Sequence, residues 1–266
     1  MLRGWRLRAV PRRPPRPVTE LSGCVMWLVL AETGDDAAAW VAEGLAQRDM
    51  RPVRLVSGQE LATATVWEHR VHGRGVCTWL RFADGTELAD TQLRGVLNRL
   101  GGFYQPPGQS SDDGEYAACE WNALVLSWLA FLPSPVLNRP SADGGLGGYR
   151  SLGGWRHLAH RAGLPIVPLS QSNLSESVEG GWDADVGKPL TVFAVAGDVV
   201  AGCDGGGDAA IEAGCARLSR LVGDAVLAVH FTDLPGQGMA FCWATQQADL
   251  RLGGSELLDL LAGRLK

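Results

Sequence analysis

Residues 26–56 constrain this chain more than any others. Met26 to Ala31 (MWLVLA) is an unbroken apolar run of strand length. Thr33-Gly34-Asp35-Asp36 follows, a sequence suited to capping a helix. From Ala37 to Gln47, apolar residues at 37, 38, 41, 42 and 45 keep helical spacing. Pro52 to Val56 (PVRLV) is a second strand. Strand, helix and strand in so short a span imply two parallel strands joined by a right-handed crossover. That places the chain in the α/β class.

The remaining pattern adds antiparallel pieces. Gln59 to Thr65 is a short helix, and Val66–His72 and Gly75–Phe82 are strands split by His72-Gly73-Arg74-Gly75. Asp84-Gly85 is a second hairpin signal. A strand over Gly95–Leu100 carries the polar pair Asn98-Arg99 near its end, and residues 101–114 are loop by composition. Glu115 to Leu132 is the strongest helix, with Ala117, Leu124, Trp128 and Phe131 along one side and Trp121 beside them. Pro133 and Pro135 stop it, and a short strand over Pro135–Asn138 runs into Arg139-Pro140. Residues 141–154 are a glycine-rich loop, Trp155–Ala162 a helix closed by Gly163, and Leu164–Leu169 a strand. Leu190–Ala196 and Val199–Cys203 form a hairpin about a two-residue Gly197-Asp198 turn. Ala209–Leu221 is an amphipathic helix, Val226–Phe231 and Met239–Ala244 are strands, and Ser255–Leu265 is a closing helix.

Composition removes several classes. With 46% apolar residues and a net charge of −5 over 266 residues, disorder cannot dominate. The 35 Gly and 14 Pro break any long heptad pattern. No apolar run approaches the ~20 residues of a membrane helix, so no membrane partner is expected. Six scattered cysteines (24, 77, 119, 203, 215, 242) without a CxxC argue against zinc and against a disulfide framework. Reduced, mostly buried thiols in a cytoplasm are expected, Cys119 among the core ones. Residues 1–25 hold six Arg and one Glu, hence +5, leaving −5 − 5 = −10 for the rest. An acidic body speaks against nucleic acid as the main partner. The basic, Pro-rich stretch 1–25 reads as an unpacked tail, the alternative being a nucleic-acid arm. Met26 stands where the first strand begins, so translation from Met1 or from Met26 remains open.

The order of elements resembles the ATP-grasp superfamily, and within it the peptide-modifying carboxylate–amine ligases of the microviridin (graspetide) type. Three stretches carry the resemblance. Val96-Leu97-Asn98-Arg99 resembles the close of the family's Rossmann-like leading domain. Glu115 to Leu169 resembles its helix, its Asn-x-Pro strand end, and the helix-"AGLP"-strand that opens the grasp domain. Leu190 to Lys266 resembles the final third, with its "VFAVAGDVV" hairpin, long helix, second hairpin and closing helix. The implied architecture is α/β: a Rossmann-like pre-ATP-grasp domain at 26–105, then a truncated ATP-grasp-like α+β core at 113–266.

The resemblance also implies a lysine-bearing β-subdomain over ATP and a Mg²⁺ site. The metal site is made of an Asp on one strand and a Glu-x-Asn pair on the next. Only Ser170–Pro189 stands where the subdomain belongs, and Lys188 is the only lysine apart from Lys266. Arg does not simply replace a phosphate-binding Lys, because its donor fork is larger and differently aimed. Asp233 fits the Asp position, but Trp243 and Thr245 stand at the Glu and Asn positions. An indole cannot ligate Mg²⁺, which needs hard oxygen donors. Phosphoryl transfer rests on positioning and charge neutralisation, so these departures strike its main source of catalysis.

Other constellations are weak. Gly144–Gly154 could form a phosphate nest but lacks a P-loop lysine. Gly205-Gly206-Gly207 precedes a helix, but Asp204 and Asp208 flank it. His157 and His160 share a helix face with no acid or Cys nearby, which suits a surface pair. Trp121, Trp128 and Trp155 are candidates for a cluster between the two halves. The expected role is a non-catalytic or partner-dependent binding protein in a biosynthetic or modification pathway. No catalytic residue, metal or cofactor is expected. Its partner would be a peptide, a small molecule or another biosynthetic enzyme, with homo- or hetero-oligomers open. The alternative is an ATP-dependent carboxylate–amine ligase using ATP and Mg²⁺ through atypical contacts. Ligands of α/β sheets sit at strand C-terminal ends. The candidate ligand-binding residues are therefore Arg99, Asn138 and Arg139, with Asp233 on the far wall. Arg251 is the plain alternative partner for Asp233.

Overall fold

The computed structural model describes residues 25–72, 75–101, 112–141, 144–147, 150–166, 190–202, 208–234, 236 and 238–266. The tail at 1–24, the Ser170–Pro189 segment with Lys188, and the triglycine at 205–207 lie outside the described residues.

Strand β1 (Met26–Ala31) leads through α1 (Asp36–Ala46) to β2 (Val53–Ser57), and the two strands are parallel, Trp27 opposite Val53. The Asp35 carboxylate caps α1 by accepting from the Ala38 amide at 2.9 Å. Helix α2 (Gly58–Ala62) begins with a capping box between Ser57 and Glu60. An antiparallel sheet of β3 (Val66–His72), β4 (Gly75–Arg81) and β5 (Glu87–Ala89) follows. The chain then returns to the parallel sheet as β6 (Leu93–Asn98). Helix α3 (Asp112–Phe131) and β7 (Val136–Leu137) complete that sheet in the order β2-β1-β6-β7. After α4 (Leu152–Arg161), β8 (Leu190–Val195) and β9 (Asp198–Ala201) form a hairpin. Helix α5 (Ala209–Val222), β10 (Val226–Leu234), β11 (Gly238–Thr245) and α6 (Gly254–Leu265) end the chain. The second large sheet is antiparallel, in the order β11-β10-β8-β9.

The layers follow from which strand positions are apolar. One face of the parallel sheet (Leu28, Leu30, Val96, Val136) packs on α3 and on Leu80 and Leu88 of the small sheet. The other face (Val29, Ala31, Leu97, Leu137) meets α1, α6 and the second large sheet in one continuous core. Phe193, Val195, Val226 and Ala228 are that sheet's contribution. Its opposite face (Val192, Ala194, Leu227, Val229) is covered by α4 and α5. Gly95 lets α6 lie against the parallel sheet. A Cβ there would stand 2.6 Å from the Leu265 carbonyl oxygen. The Trp27 indole N–H donates to the same carbonyl at 3.1 Å, tying the first strand to the last helix.

Several local expectations move. The β8–β9 turn is Ala196-Gly197, both with positive φ (47° and 100°), one residue earlier than the Gly-Asp turn read from the sequence. Two positive φ values are what a two-residue hairpin turn of the right twist needs. Strand β6 ends at Asn98, so Arg99 stands just past it. Helix α3 buries Ala118, Asn122, Val125, Trp128 and Leu129, leaving Phe131 61% exposed and Ala117 and Cys119 outward. Asn122 goes inward because its side-chain amide donates to the Ala118 carbonyl at 2.7 Å. Trp121 and Trp128 meet Trp67 edge-to-face, whereas Trp155, on α4, packs in a different core. Of the strand expected at 164–169, Ile166 bridges Phe241, and residues 167–169 lie outside the described residues. The four described cysteines are free thiols, and burial pushes Cys215 up to about 12.

Candidate functional site

The two Asn-Arg pairs close the strand ends of the parallel sheet. Asn138, at φ 58° and 1% exposed, follows β7. Its side-chain N–H donates to the Asn98 carbonyl at 2.9 Å, and the Asn98 amide donates to the Asn138 carbonyl at 3.0 Å. The Asn138 side-chain oxygen accepts from the Val226 amide at 2.8 Å, and its backbone N–H donates to Asp224 at 2.8 Å. This clasp joins β6, β7 and β10. In each Asn both the side-chain oxygen and nitrogen are engaged within the protein.

The arginines turn away from each other. Arg99, 6% exposed, grips the Asp35 carboxylate through Nε (2.8 Å) and Nη2 (3.2 Å) and donates to the Ala248 carbonyl. Arg139 donates to the carbonyls of Leu129, Ala130, Leu132 and Ser134, capping the C-terminal end of α3. Asp233 is exposed near the tip of the β10–β11 hairpin, opposite Met239. Arg251 pairs with Asp249 at 2.8 Å and lies 3.9 Å from Asp36, so Asp233 is not its partner. Asn138 and Arg139 do share a cleft of about 220 Å³ with Leu146, Arg150, Asp224 and Gln246. Arg99 and Asp233 do not line it. The structure therefore brings two of the four residues to one cavity and leaves the others elsewhere.

Asp233 and Trp243 lie on neighbouring strands of the β10–β11 hairpin. A bulge between His230 and Phe231 shifts the register, so His230, and not Val229, stands opposite Trp243. The two rings stack at 4.4 Å with an interplanar angle of 20°. His230 Nδ1 is 3.1 Å from the Thr191 hydroxyl, and its Nε2 is buried without a hydrogen-bond partner. Burial lowers the His230 pKa, which keeps the ring neutral. Two residues along the same face, the Thr232 hydroxyl is also buried and unpartnered. Thr245 faces Ala228. Sequence reasoning missed His230, and counting back across the hairpin from Trp243 with one bulge residue would have found it. His157 and His160 are both exposed, and the described residues contain no cluster of His, Cys, Asp and Glu that could hold a metal.

No protein-family model matches the chain, and no curated protein matches it. Solved structures do. The macrocyclase MdnB from Microcystis aeruginosa MRC superposes with a TM-score of 0.64 at 15% identity, covering 90% of this chain and 98% of that one. MdnC from the same organism, bound with precursor peptide MdnA, gives 0.65 at 14%, covering 90% and 99%. A Chryseobacterium gregarium RiPP-associated ATP-grasp ligase, in complex with ADP and a leader and core peptide, gives 0.62 at 12%, covering 90% and 96%. The fold of this chain is the ATP-grasp fold. Its form resembles that of the peptide-modifying ligases, with a parallel leading sheet and an antiparallel grasp sheet.

Proposed function

We propose that this chain binds a peptide in a modification pathway and carries out no ATP-dependent ligation of its own. The observation behind this reading is the β10–β11 face. Trp243 and Thr245, which the resemblance sets at the Glu and Asn positions of a Mg²⁺ site, offer no carboxylate, and Trp243 stacks on the imidazole of His230. Mg²⁺ demands near-octahedral oxygen ligands. His230 Nε2 is a nitrogen closed off from solvent, and Trp243 offers no lone pair. Asp233 is the one carboxylate on β10 and β11, and a single carboxylate holds Mg²⁺ poorly. The peptide partner is inferred from the solved neighbours, several of which are complexes with precursor peptides. We take the chain as two units, with α3 and β7 counted to the first because they pack on its sheet.

The test is calorimetry on the full chain. ATP with Mg²⁺ is expected to show no binding tighter than about 1 mM, near ~4 kcal/mol. A short peptide encoded beside the gene is expected to bind without nucleotide. Micromolar, Mg²⁺-dependent ATP binding overturns the reading and restores the ligase alternative.

A further inference from the structure

Strand β3 is an edge of the small sheet: among the described residues it pairs with β4 alone. An edge strand presents unpaired backbone groups, and proteins ordinarily blunt such edges with short strands, Pro, Lys or a bulge. β3 runs for seven residues (VWEHRVH) with no Pro and no Lys, and its register with β4 is unbroken. Arg70 and Val71 are exposed, Val71 at 65%.

Thr78 on β4 shows which backbone groups of β3 face outward. Its N–H donates to the Asp90 carboxylate at 2.9 Å. Asp90 follows directly on β5, which lies across β4 from β3. Thr78 stands opposite His69 and so does not bond to it through the backbone. The N–H and C=O of His69 therefore point away from β4, and by the alternation of an antiparallel ladder those of Trp67 and Val71 do the same. The side chains alternate between the two faces of the sheet. Trp67 meets Trp121 and Trp128 of α3, and His69 Nε2 is 2.9 Å from the Ser127 hydroxyl, so the odd residues share the α3 face. Glu68 and Arg70 lie on the other face and pair with each other, their side chains 45% and 42% exposed.

This strand is complementary to itself. Laid antiparallel on a second copy about a two-fold axis at His69, it sets Glu68 against the partner's Arg70 and Arg70 against the partner's Glu68. Trp67 falls opposite the partner's Val71, an aromatic and β-branched pair of the favourable kind. The outward backbone groups of 67, 69 and 71 meet one another in the same register. Sliding one strand by two residues puts Glu68 on the partner's Glu68, or Arg70 on the partner's Arg70, and like charges directly opposite are destabilising.

We propose that this chain forms a two-fold dimer through β3, joining two three-stranded sheets into one of six strands, with Glu68 and Arg70 fixing the register. The interface is isologous, the same patch serving both copies. Both copies of α3 lie on one face of the joined sheet. The dimer uses no part of the proposed peptide binding, so its failure leaves that reading untouched.

Sedimentation velocity of the full chain across micromolar concentrations tests this. Wild type is expected to reach twice the 28.3 kDa of one chain. Arg70→Glu and Glu68→Arg each put like charges across both cross-strand pairs, and each should weaken association at least about tenfold. Mixed in equal amounts, the two variants again oppose unlike charges, and a dimer holding one of each is expected. That recovery also shows that neither variant has lost its fold. Val71→Pro removes an N–H that faces the edge and not β4, so it should keep the circular dichroism of wild type and sediment as a single chain. A wild type that stays a single chain throughout overturns the proposal. So do single variants, or Val71→Pro, that associate as wild type does, and so does an equal mixture of the two charge variants that remains monomeric.

Discussion

The two Asn-Arg pairs and the β10–β11 face are both rich in polar groups at strand ends, yet they treat those groups in opposite ways. At Asn98-Arg99 and Asn138-Arg139, the polar side chains are partnered within the protein. On the grasp sheet, His230 Nε2 and the Thr232 hydroxyl are buried with no partner. A satisfied polar network rigidifies a junction. Orphaned buried atoms do the reverse and mark places where stability has not been maximised. The parallel sheet's end is a joint, whereas the grasp sheet's face keeps polar groups that the fold does not satisfy.

Removing Asp35 should break this contrast most. Asp35→Ala leaves the Arg99 charge buried and uncaps α1. Breaking a buried pair from one side costs about 3–5 kcal/mol, readable as a shift in the urea midpoint. Asn138→Ala comes next, at about 2–4 kcal/mol. It strands the Val226 amide and the Asn98 carbonyl and places Ala at positive φ. Arg139→Ala should cost less, about 1–2 kcal/mol, because the α3 carbonyls it leaves can turn to water. If Arg139→Ala is neutral in stability but abolishes peptide binding, the joint reading of that residue is wrong.

His230→Phe should do least in neutral solution, within about 1 kcal/mol, since losing the Thr191 hydrogen bond is offset by removing the orphaned Nε2 while the stack on Trp243 stays. Its effect is on pH dependence. A folded-state pKa lowered below 6.5 means the unfolded chain takes up the proton first. Stability is therefore full above about pH 6.5 and falls as the pH drops below it. Tm measured from about neutral to about pH 5 should fall less steeply in His230→Phe than in wild type. His69, whose pKa burial also lowers, remains in the variant and should preserve part of the slope.

The sequence made the start of the fold legible because an apolar run, a capped periodic helix and a second apolar run admit one arrangement. The phase of α3 was not legible. Apolar residues surround that helix, and the inward place of Asn122 depends on a bond to its own backbone. The Asn-Arg pairs could be picked out as polar strand ends. Their partners could not, since Asp35 lies 64 positions from Arg99 and Val226 lies 88 from Asn138. At the β10–β11 hairpin one register shift sets His230, and not Val229, opposite Trp243. Strand parity is unforgiving of a single inserted residue.

The bond from Trp27 to Leu265 also sets an order of events during synthesis. The inner face of β1 shares a core with α6, which is translated more than 220 residues later. At about 5–20 residues per second, the ribosome takes roughly 10–45 s to cover that distance. For that interval Val29, Ala31 and the α1 residues Val41 and Leu45 lack α6 as a cover. Contacts this distant in sequence also slow the closing step once the chain is complete. The nascent leading sheet is thus an exposed apolar surface of considerable lifetime, and a candidate client for a chaperone at the ribosome.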